Sequence, residues 1–218
     1  METSGPHRLA YNARLDQIGP ELAELASDVR DIVTGATAAV TGPRAGHEDT
    51  AHLYAARRKL KDRADQLDET LVELLVREAP VAGDLRRVVA GLRILSNLER
   101  MADLAVHVAE AADRRAPAAV VPTQLRPTIA RLGDLCCELV GLLVTALAST
   151  DLPLIRQVEE ADEPIDETHR QLLAELTDPA GEHGIETAVD LALISRYYER
   201  FADQAVTAAR QLAGLNPR

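Results

Sequence analysis

The sequence predicts an all-α protein, a tandem duplication of two antiparallel three-helix bundles with six long helices. Apolar residues recur at three- and four-residue spacing in six segments, and no segment alternates apolar and polar residues as a strand does. Glycine and proline separate the segments. The stretch from Ile94 to Ala109 recurs from Ile194 to Ala209, with eight of sixteen residues identical and no gap. Such repetition indicates a duplication.

The first three segments form the first half. The first helix has an apolar stripe of Ile18, Leu22, Leu25, Val29, Ile32, Ala36 and Val40. It ends at a Gly/Pro turn over residues 41–46. The stripe of the second helix is Leu53, Leu60, Ala64, Leu67, Leu71 and Leu74, and this helix ends before Pro80. The third helix runs from about Asp84 to Arg114, contains the first copy of the repeat, and ends before Pro117.

The second half repeats this order. The stripe of the fourth helix is Leu125, Ile129, Leu132, Cys136, Leu139, Leu143 and Ala146. The fifth helix begins near Leu152 and contains Pro164, which removes a backbone hydrogen bond and predicts a kink. The sixth helix follows a loop at residues 177–184 and carries the second copy of the repeat.

The proline-containing stretch from Pro117 to Pro122 is the expected boundary, so we assign residues 1–116 and 117–218 to the two repeats. Short loops favour antiparallel neighbours within each repeat. Segments near 30 residues predict a bundle about 40 to 45 Å long. We expect the two bundles to pack in series.

Composition excludes some partners. The net charge is −11, and the aromatic residues are four tyrosines and one phenylalanine. Such a chain gains little from counterion release on nucleic acid and has few rings to stack on bases. The adjacent Cys136 and Cys137 match neither a disulfide framework nor a metal-binding pair. We expect no signal peptide, no run of about 18 apolar residues and no membrane insertion, and therefore a cytoplasmic protein.

The repeated stretch contains the motif Glu-Arg-x-Ala-Asp in both copies. Its carboxylates are Glu99 and Asp103 in the first copy and Glu199 and Asp203 in the second. Residues four apart lie side by side on a helix, just off the core stripe here. Like charges at this spacing cost a helix roughly 0.2 to 0.5 kcal/mol. The presence of a like-charged pair in both copies therefore needs an explanation.

Two interpretations remain open on the residues alone. In the first, the carboxylates form surface salt bridges with arginines one turn away, such as Arg100, Arg196 and Arg200. In the second, they bind a hard cation together with acidic residues of the fifth helix. These residues are Glu159, Glu160, Asp162, Glu163 and Asp166. His107, four residues after Asp103, is a further candidate for the first site.

The sequence does not favour catalysis. It contains no Gly-rich phosphate loop, no GxSxG and no HExxH. A di-iron core of the ferritin kind would need a Glu-x-x-His, and no glutamate is followed by histidine three residues later. We predict that the protein is not an enzyme.

The duplicated motif, the entry to the third helix from Pro80 to Arg86 and the segment from Asp162 to Asp166 together resemble the PhoU family. The resemblance covers nearly the whole chain. It implies two three-helix bundles with multinuclear iron or zinc on surface carboxylates. The ligands carried over from the family are Glu99, Asp103, Asp162, Asp166, Glu199 and Asp203.

The resemblance also implies a role. A PhoU-like protein contacts the ATPase of the phosphate ABC transporter and a sensor histidine kinase, and restrains the phosphate-starvation response when phosphate is plentiful. A homodimer is possible. The overall acidity predicts binding to basic or polar patches on those partners. The alternatives are a metal-binding protein for iron or zinc storage or sensing, and a structural helical module.

The second helix departs from the family pattern. The family has an acidic pair there, where this chain has Arg57 and Lys61. A slip of one or two turns would present Asp65 and Glu69 instead. We therefore expect the second half to bind metal more strongly than the first.

Overall fold

Six α-helices make up the fold in the computed structural model, which describes residues 6–42, 47–149, 153–178 and 183–215. They are α1 (Pro6–Thr41), α2 (His47–Glu78), α3 (Ala82–Arg115), α4 (Arg126–Ser149), α5 (Pro153–Leu176) and α6 (Ile185–Leu215). No strand occurs within these ranges. The predicted fold class is confirmed. Most of the predicted turn at 41–46 lies outside the described residues.

The two halves repeat the same helix packing. In the first half α1, α2 and α3 pack on one another, and in the second half α4, α5 and α6 do the same. The connection between α3 and α4 contains a cis peptide bond between Ala116 and Pro117. The boundary between residues 1–116 and 117–218 remains a prediction.

The bundles lie side by side rather than in series. Helix α3 packs along α6, and α1 packs along α4. Arg115, at the end of α3, pairs with Asp190 near the start of α6, and Gly214 at the end of α6 lies against Ala90 near the start of α3. Helices α3 and α6 are therefore antiparallel. The expectation of serial packing was wrong because helical periodicity shows which face is apolar but not which helix covers it.

One continuous apolar cluster fills the space between the six helices. Tyr198 and Phe201 of α6 are its largest fully buried side chains. The hydroxyl of Tyr198 is hydrogen-bonded to Thr37 Oγ1 of α1 at 2.8 Å, so this buried polar group is satisfied across the two halves. Gly133 of α4 lies against the same threonine. The core therefore joins both repeats.

Helix α4 is long and rich in apolar residues. By length and composition, it is the one helix in the described part of the chain that could cross a membrane. It is not an uninterrupted apolar run, because Arg131, Asp134 and Glu138 lie within it, so the expectation that no run of about 18 apolar residues occurs still holds. Half of its most apolar stretch is buried, where α4 packs against α1, α5 and α6. A core helix between neighbours on several sides needs this composition.

Candidate functional site

Both copies of the Glu-Arg-x-Ala-Asp motif lie where an inner helix faces an outer one. Leu98 and Met101 of α3, like Tyr198 and Phe201 of α6, point into the core and fix the rotation of each helix. The acidic residues adjacent to these positions then lie at the edge of the bundle. The motif of α3 faces α2, and the motif of α6 faces α5.

In the first half the carboxylates have basic partners. Arg57 Nε of α2 donates to Asp103 Oδ1 at 2.7 Å, and the side chain of this arginine is 17% exposed. Lys61 Nζ lies 3.0 Å from Glu99 Oε1. The two charge pairs join α2 to α3 and leave each motif carboxylate with a cation of the protein itself.

The register of α2 is now settled. Arg57 and Lys61 are the residues that face the motif, and Asp65 instead forms an i,i+4 pair with Lys61. Hydrogen bonds to Asp65 and Glu99 raise the pKa of Lys61. The alternative slip, which would bring Asp65 and Glu69 to the motif, is not observed. The charged state of Lys61 is stabilised at its position.

In the second half acidic residues take the equivalent places. Asp162 and Asp166 of α5 lie near Asp203 and Glu199 of α6. Burial, and then the charges of these three neighbours, raise the pKa of Asp162 from 3.8 to about 6. The carboxylate oxygen Oδ1 of Asp162 is buried and accepts no hydrogen bond. Negative charge is thus concentrated at this position in the second half, whereas in the first half basic residues neutralise the motif carboxylates.

Glu199 has one partial counter-charge. Arg196, one turn earlier on α6, pairs with Glu199 Oε1, so one salt bridge of the kind expected from the sequence is present. The pKa of Glu199 is nevertheless raised, first by burial and then by the charge of Asp203. Its second oxygen, Oε2, is buried without a hydrogen-bond partner. Two carboxylate oxygens in this cluster therefore lack the partners that buried polar atoms normally have.

We refer to Asp162, Asp166, Glu199 and Asp203 as the acidic cluster. The charges of Asp166 and Asp203 raise the pKa values of both Asp162 and Glu199. Among the described residues, however, no three metal-ligating side chains already converge as a coordination site. Oxygen donors of this type suit hard cations, and the two unpartnered oxygens fit such a ligand. A cation would have to draw the side chains together.

A buried histidine that the sequence analysis did not identify lies beside the acidic cluster. His169 of α5 is 9% exposed, and its Nδ1 is hydrogen-bonded to Ser195 Oγ of α6 at 3.0 Å. Burial, and then the charge of Arg196, lower its pKa. The signal was present, because His169 follows Ile165 by four residues on the apolar face of α5.

His107 does not join the first motif. Its Nδ1 lies 2.9 Å from Glu110 Oε2, and its ring lies against Tyr197 of α6 with centroids 5.4 Å apart. The ring therefore contributes to the contact between α3 and α6. Glu99 and Asp103 keep their partners on α2.

Comparisons with known proteins agree with this duplicated architecture. The family model described as the PhoU domain matches residues 22–112 and again residues 129–212. The chain is 34% identical over 205 residues to "Phosphate-specific transport system accessory protein PhoU homolog 1" of Mycobacterium leprae, covering 94% of this chain and 91% of that protein. It is 33% identical to "PhoU homolog 2" of Mycobacterium tuberculosis, covering 94% and 95%.

Two crystal structures have a similar fold. PhoU from Pseudomonas aeruginosa superposes with a TM-score of 0.78 at 23% identity, covering 94% of this chain and 98% of that one. The phosphate transport system regulatory protein PhoU from Streptococcus pneumoniae gives 0.81 at 20% identity, covering 94% and 96%. At these identities the structures support the fold alone.

Proposed function

Since the chain belongs to the PhoU family, we propose that it is an accessory protein that regulates phosphate uptake and phosphate-starvation signalling by contact with other proteins, without catalysis. The observation that carries this proposal is the extent of similarity. Relatives named as accessory proteins of the phosphate-specific transport system match 94% of the chain at 33 to 34% identity. Both repeats are present in the match to the family.

The proposed partners are the ATPase of the phosphate ABC transporter and a sensor histidine kinase, and the proposed location is the cytoplasm, where both present their catalytic domains. The fold suits this role, since a bundle with one continuous core offers long, rigid helix faces for contact. A homodimer is a further possibility that sedimentation would measure.

We also propose that the second half binds iron or zinc. Asp162, Asp166, Glu199 and Asp203 would hold the ion. The support is the pair of buried oxygens without hydrogen-bond partners, together with the raised pKa of Asp162. A bound cation would supply positive charge to carboxylates that repel one another and would hold α5 against α6.

In the first half we propose ion pairing instead of metal binding. Arg57 and Lys61 already neutralise Asp103 and Glu99. A metal ion would have to displace both cations and leave their charges beside it, which Coulomb repulsion opposes. Glu99 and Asp103 therefore act in this proposal as residues that join α2 to α3.

Deletion of the gene tests the regulatory role. In high phosphate, a phosphate-starvation reporter should be repressed in the parent strain and active in the deletion strain, and a plasmid copy should restore repression. Unchanged repression in the deletion strain would refute regulation of this response. Repression that stays normal while cellular iron or zinc content changes would favour the alternative role in metal storage or sensing.

A further inference from the structure

The exposed face of α3 carries a line of arginines. Arg86, Arg93 and Arg100 are all exposed and are spaced seven residues apart, so they lie on one side of the helix. At 1.5 Å per residue the line is about 21 Å long. We call these three residues the arginine face. It is unusual on a chain whose net charge is −11.

The arginine face lacks acidic partners within the part of the chain that the structure describes. Arg93 contacts Gln211 Oε1 of α6 at 3.4 Å, which is a weak and uncharged contact. Asp103, one turn beyond Arg100, is occupied by Arg57 instead. All three guanidinium groups can therefore bind carboxylates of another molecule, since Arg93 has only this weak contact and Arg86 and Arg100 have no acidic partner among the described residues.

The duplication shows that the fold does not require arginine at two of these three positions. In α6 the residues at the equivalent positions are Glu186, Leu193 and Arg200. The equivalent helix of the second repeat thus packs in the equivalent place with an acidic and an apolar residue on that face. The complete line of three arginines is a property of the first repeat, and core packing does not explain Arg86 and Arg93.

An exposed apolar tip adjoins the arginine face at the α2–α3 turn. We define the tip as Val76, Val81 and Leu85, which are 77%, 76% and 42% exposed. Ala79, two residues before Val81, and Ala82, directly after it, have φ angles of 43° and 47°. This left-handed conformation is strained for a residue other than glycine. The turn thus holds an apolar side chain outward in a strained backbone, a combination that favours a binding role over a purely connecting one.

We propose that the arginine face and the apolar tip together dock an acidic helix of a partner protein. Such a helix would carry carboxylates about two turns apart and apolar residues beyond the last of them. Arginine suits this role because its planar guanidinium pairs with carboxylates bidentately. The proposal deepens the proposed function, on which it rests for the kind of partner, by giving one contact its surface.

The shape and charge of the surface favour a protein helix over the two other occupants. The negative surface potential of an anionic membrane would repel a protein of net charge −11 as a whole. The three arginines in one line would offset only a small part of this repulsion. A second copy of this chain would bring the same net charge. A partner helix needs only to place carboxylates opposite the three arginines.

The first test uses a defined peptide. Fluorescence anisotropy would compare a labelled helical peptide with glutamates at seven-residue spacing and leucines near one end with the same peptide carrying glutamines. The wild-type protein should bind the glutamate peptide about tenfold more tightly at low salt, as expected for three exposed charge pairs. R86E/R93E/R100E should lose this preference. The control R58E/R131E/R156E changes exposed arginines on α2, α4 and α5 by the same total charge and should keep it.

Two outcomes of the peptide test would overturn the proposal: no preference of the wild-type protein for glutamate, or equal loss in both variants. Co-sedimentation with phosphatidylserine vesicles that R86E/R93E/R100E abolishes would assign the surface to a membrane. A dimer in sedimentation velocity that the same variant dissociates would assign it to a second copy. Either result would also overturn the assignment to a partner helix.

A pull-down with the purified transporter ATPase separates this inference from the proposed function. If the wild-type protein binds the ATPase and R86E/R93E/R100E binds equally well, the surface is wrong and the function stands. If the wild-type protein prefers the glutamate peptide but does not bind the ATPase, the surface stands and that partner is wrong.

Discussion

The Nε atom of Arg57 lies 2.7 Å from Oδ1 of Asp103, and in the second repeat the place of this arginine is taken by an aspartate. That residue is Asp162, whose carboxylate is close enough to Asp203 to have its pKa raised by it. The two repeats thus keep the same motif on the inner helix and reverse the charge on the outer one. This reversal makes the halves chemically different within one duplicated scaffold.

Removal of the acidic cluster should abolish metal binding. Asp162→Asn with Glu199→Gln removes the two carboxylates that have unpartnered oxygens, so the variant should retain little zinc or iron after loading and desalting. Metal content by mass spectrometry measures this. The matched control is Glu99→Gln with Asp103→Asn, which should bind as much metal as the wild-type protein. Loss of metal in the control alone would contradict the proposal, and no metal in any variant would leave the carboxylates as salt-bridge residues.

Reversal of the basic pair should create a second site. Arg57→Asp with Lys61→Asp would give the first half the acidic pattern of the second, because these residues face Asp103 and Glu99. Metal content should rise by about one site per chain relative to the wild-type protein, since four carboxylates would then share the interface. Isothermal titration with Zn²⁺ measures the stoichiometry. An unchanged stoichiometry, with the fold intact by circular dichroism, would show that charge pattern alone does not make the site.

The raised pKa of Asp162 predicts a pH-dependent stability without metal. The folded protein holds this proton up to about pH 6, whereas the unfolded chain releases it near 3.8. The folded state therefore binds more protons between these values, and the contribution of Asp162 to stability falls as the pH rises through this window. Asp162→Asn should remove this fall, so the variant should gain about 1 kcal/mol over the wild-type protein at pH 7, a figure reduced for partial exposure.

Urea unfolding in EDTA at pH 4, 5, 6 and 7 would measure the difference between the two proteins. Other carboxylates titrate in the same range, but they are common to both and cancel in the comparison. Asp68→Asn, at an exposed position of α2, controls for the loss of one negative charge. A constant difference across the window would show that Asp162 titrates normally in the folded protein.

The helices were predictable because their signal is local. Apolar spacing and breakers placed all six, and α3, expected from Asp84 to Arg114, spans Ala82–Arg115. The position of Arg57 and Lys61 opposite the first motif was also predictable, by counting back from Pro80, whereas the weaker metal binding of the first half remains a prediction. These inferences needed only the helical period and the order of residues along the chain.

The remaining features depend on contacts between distant segments. The antiparallel packing of α3 on α6 brings His107 against Tyr197, a contact that no spacing within one helix shows. The burial of His169 depends on how α5 lies across Ser195. The lack of an acidic partner for Arg100 is likewise visible only in three dimensions. Asp103 is one turn from Arg100 in sequence, but its carboxylate pairs with Arg57.

Glycine at position 133 should be essential for the packing of α1 against α4. A Cβ atom there would lie 2.3 Å from Thr37 Oγ1, closer than any real contact. Thr37 is buried, and its Oγ1 is hydrogen-bonded to both the carbonyl of Val33 and the hydroxyl of Tyr198. The threonine therefore cannot move away without breaking the polar link between the two repeats. Gly133→Ala should destabilise the protein by about 1 to 3 kcal/mol, as overpacking of a core does.

Gly141→Ala is the matched control for Gly133→Ala, because it lies two turns further along the same helix. The nearest atom to a Cβ at position 141 is Arg30 Cζ at 3.9 Å, an ordinary contact with the end of a flexible side chain. This variant should gain about 0.5 to 1 kcal/mol from the better helix propensity of alanine.

Urea unfolding of both variants, with Thr37→Ala alone and combined with Gly133→Ala, would complete a double-mutant cycle. The cost of Gly133→Ala should be smaller in the Thr37→Ala background, because Oγ1 and Cγ2 are then absent. An equal cost in both backgrounds would show that Thr37 is not the obstacle. A gain in stability from Gly133→Ala as large as that from Gly141→Ala would show that the α1–α4 interface tolerates a methyl group at either position.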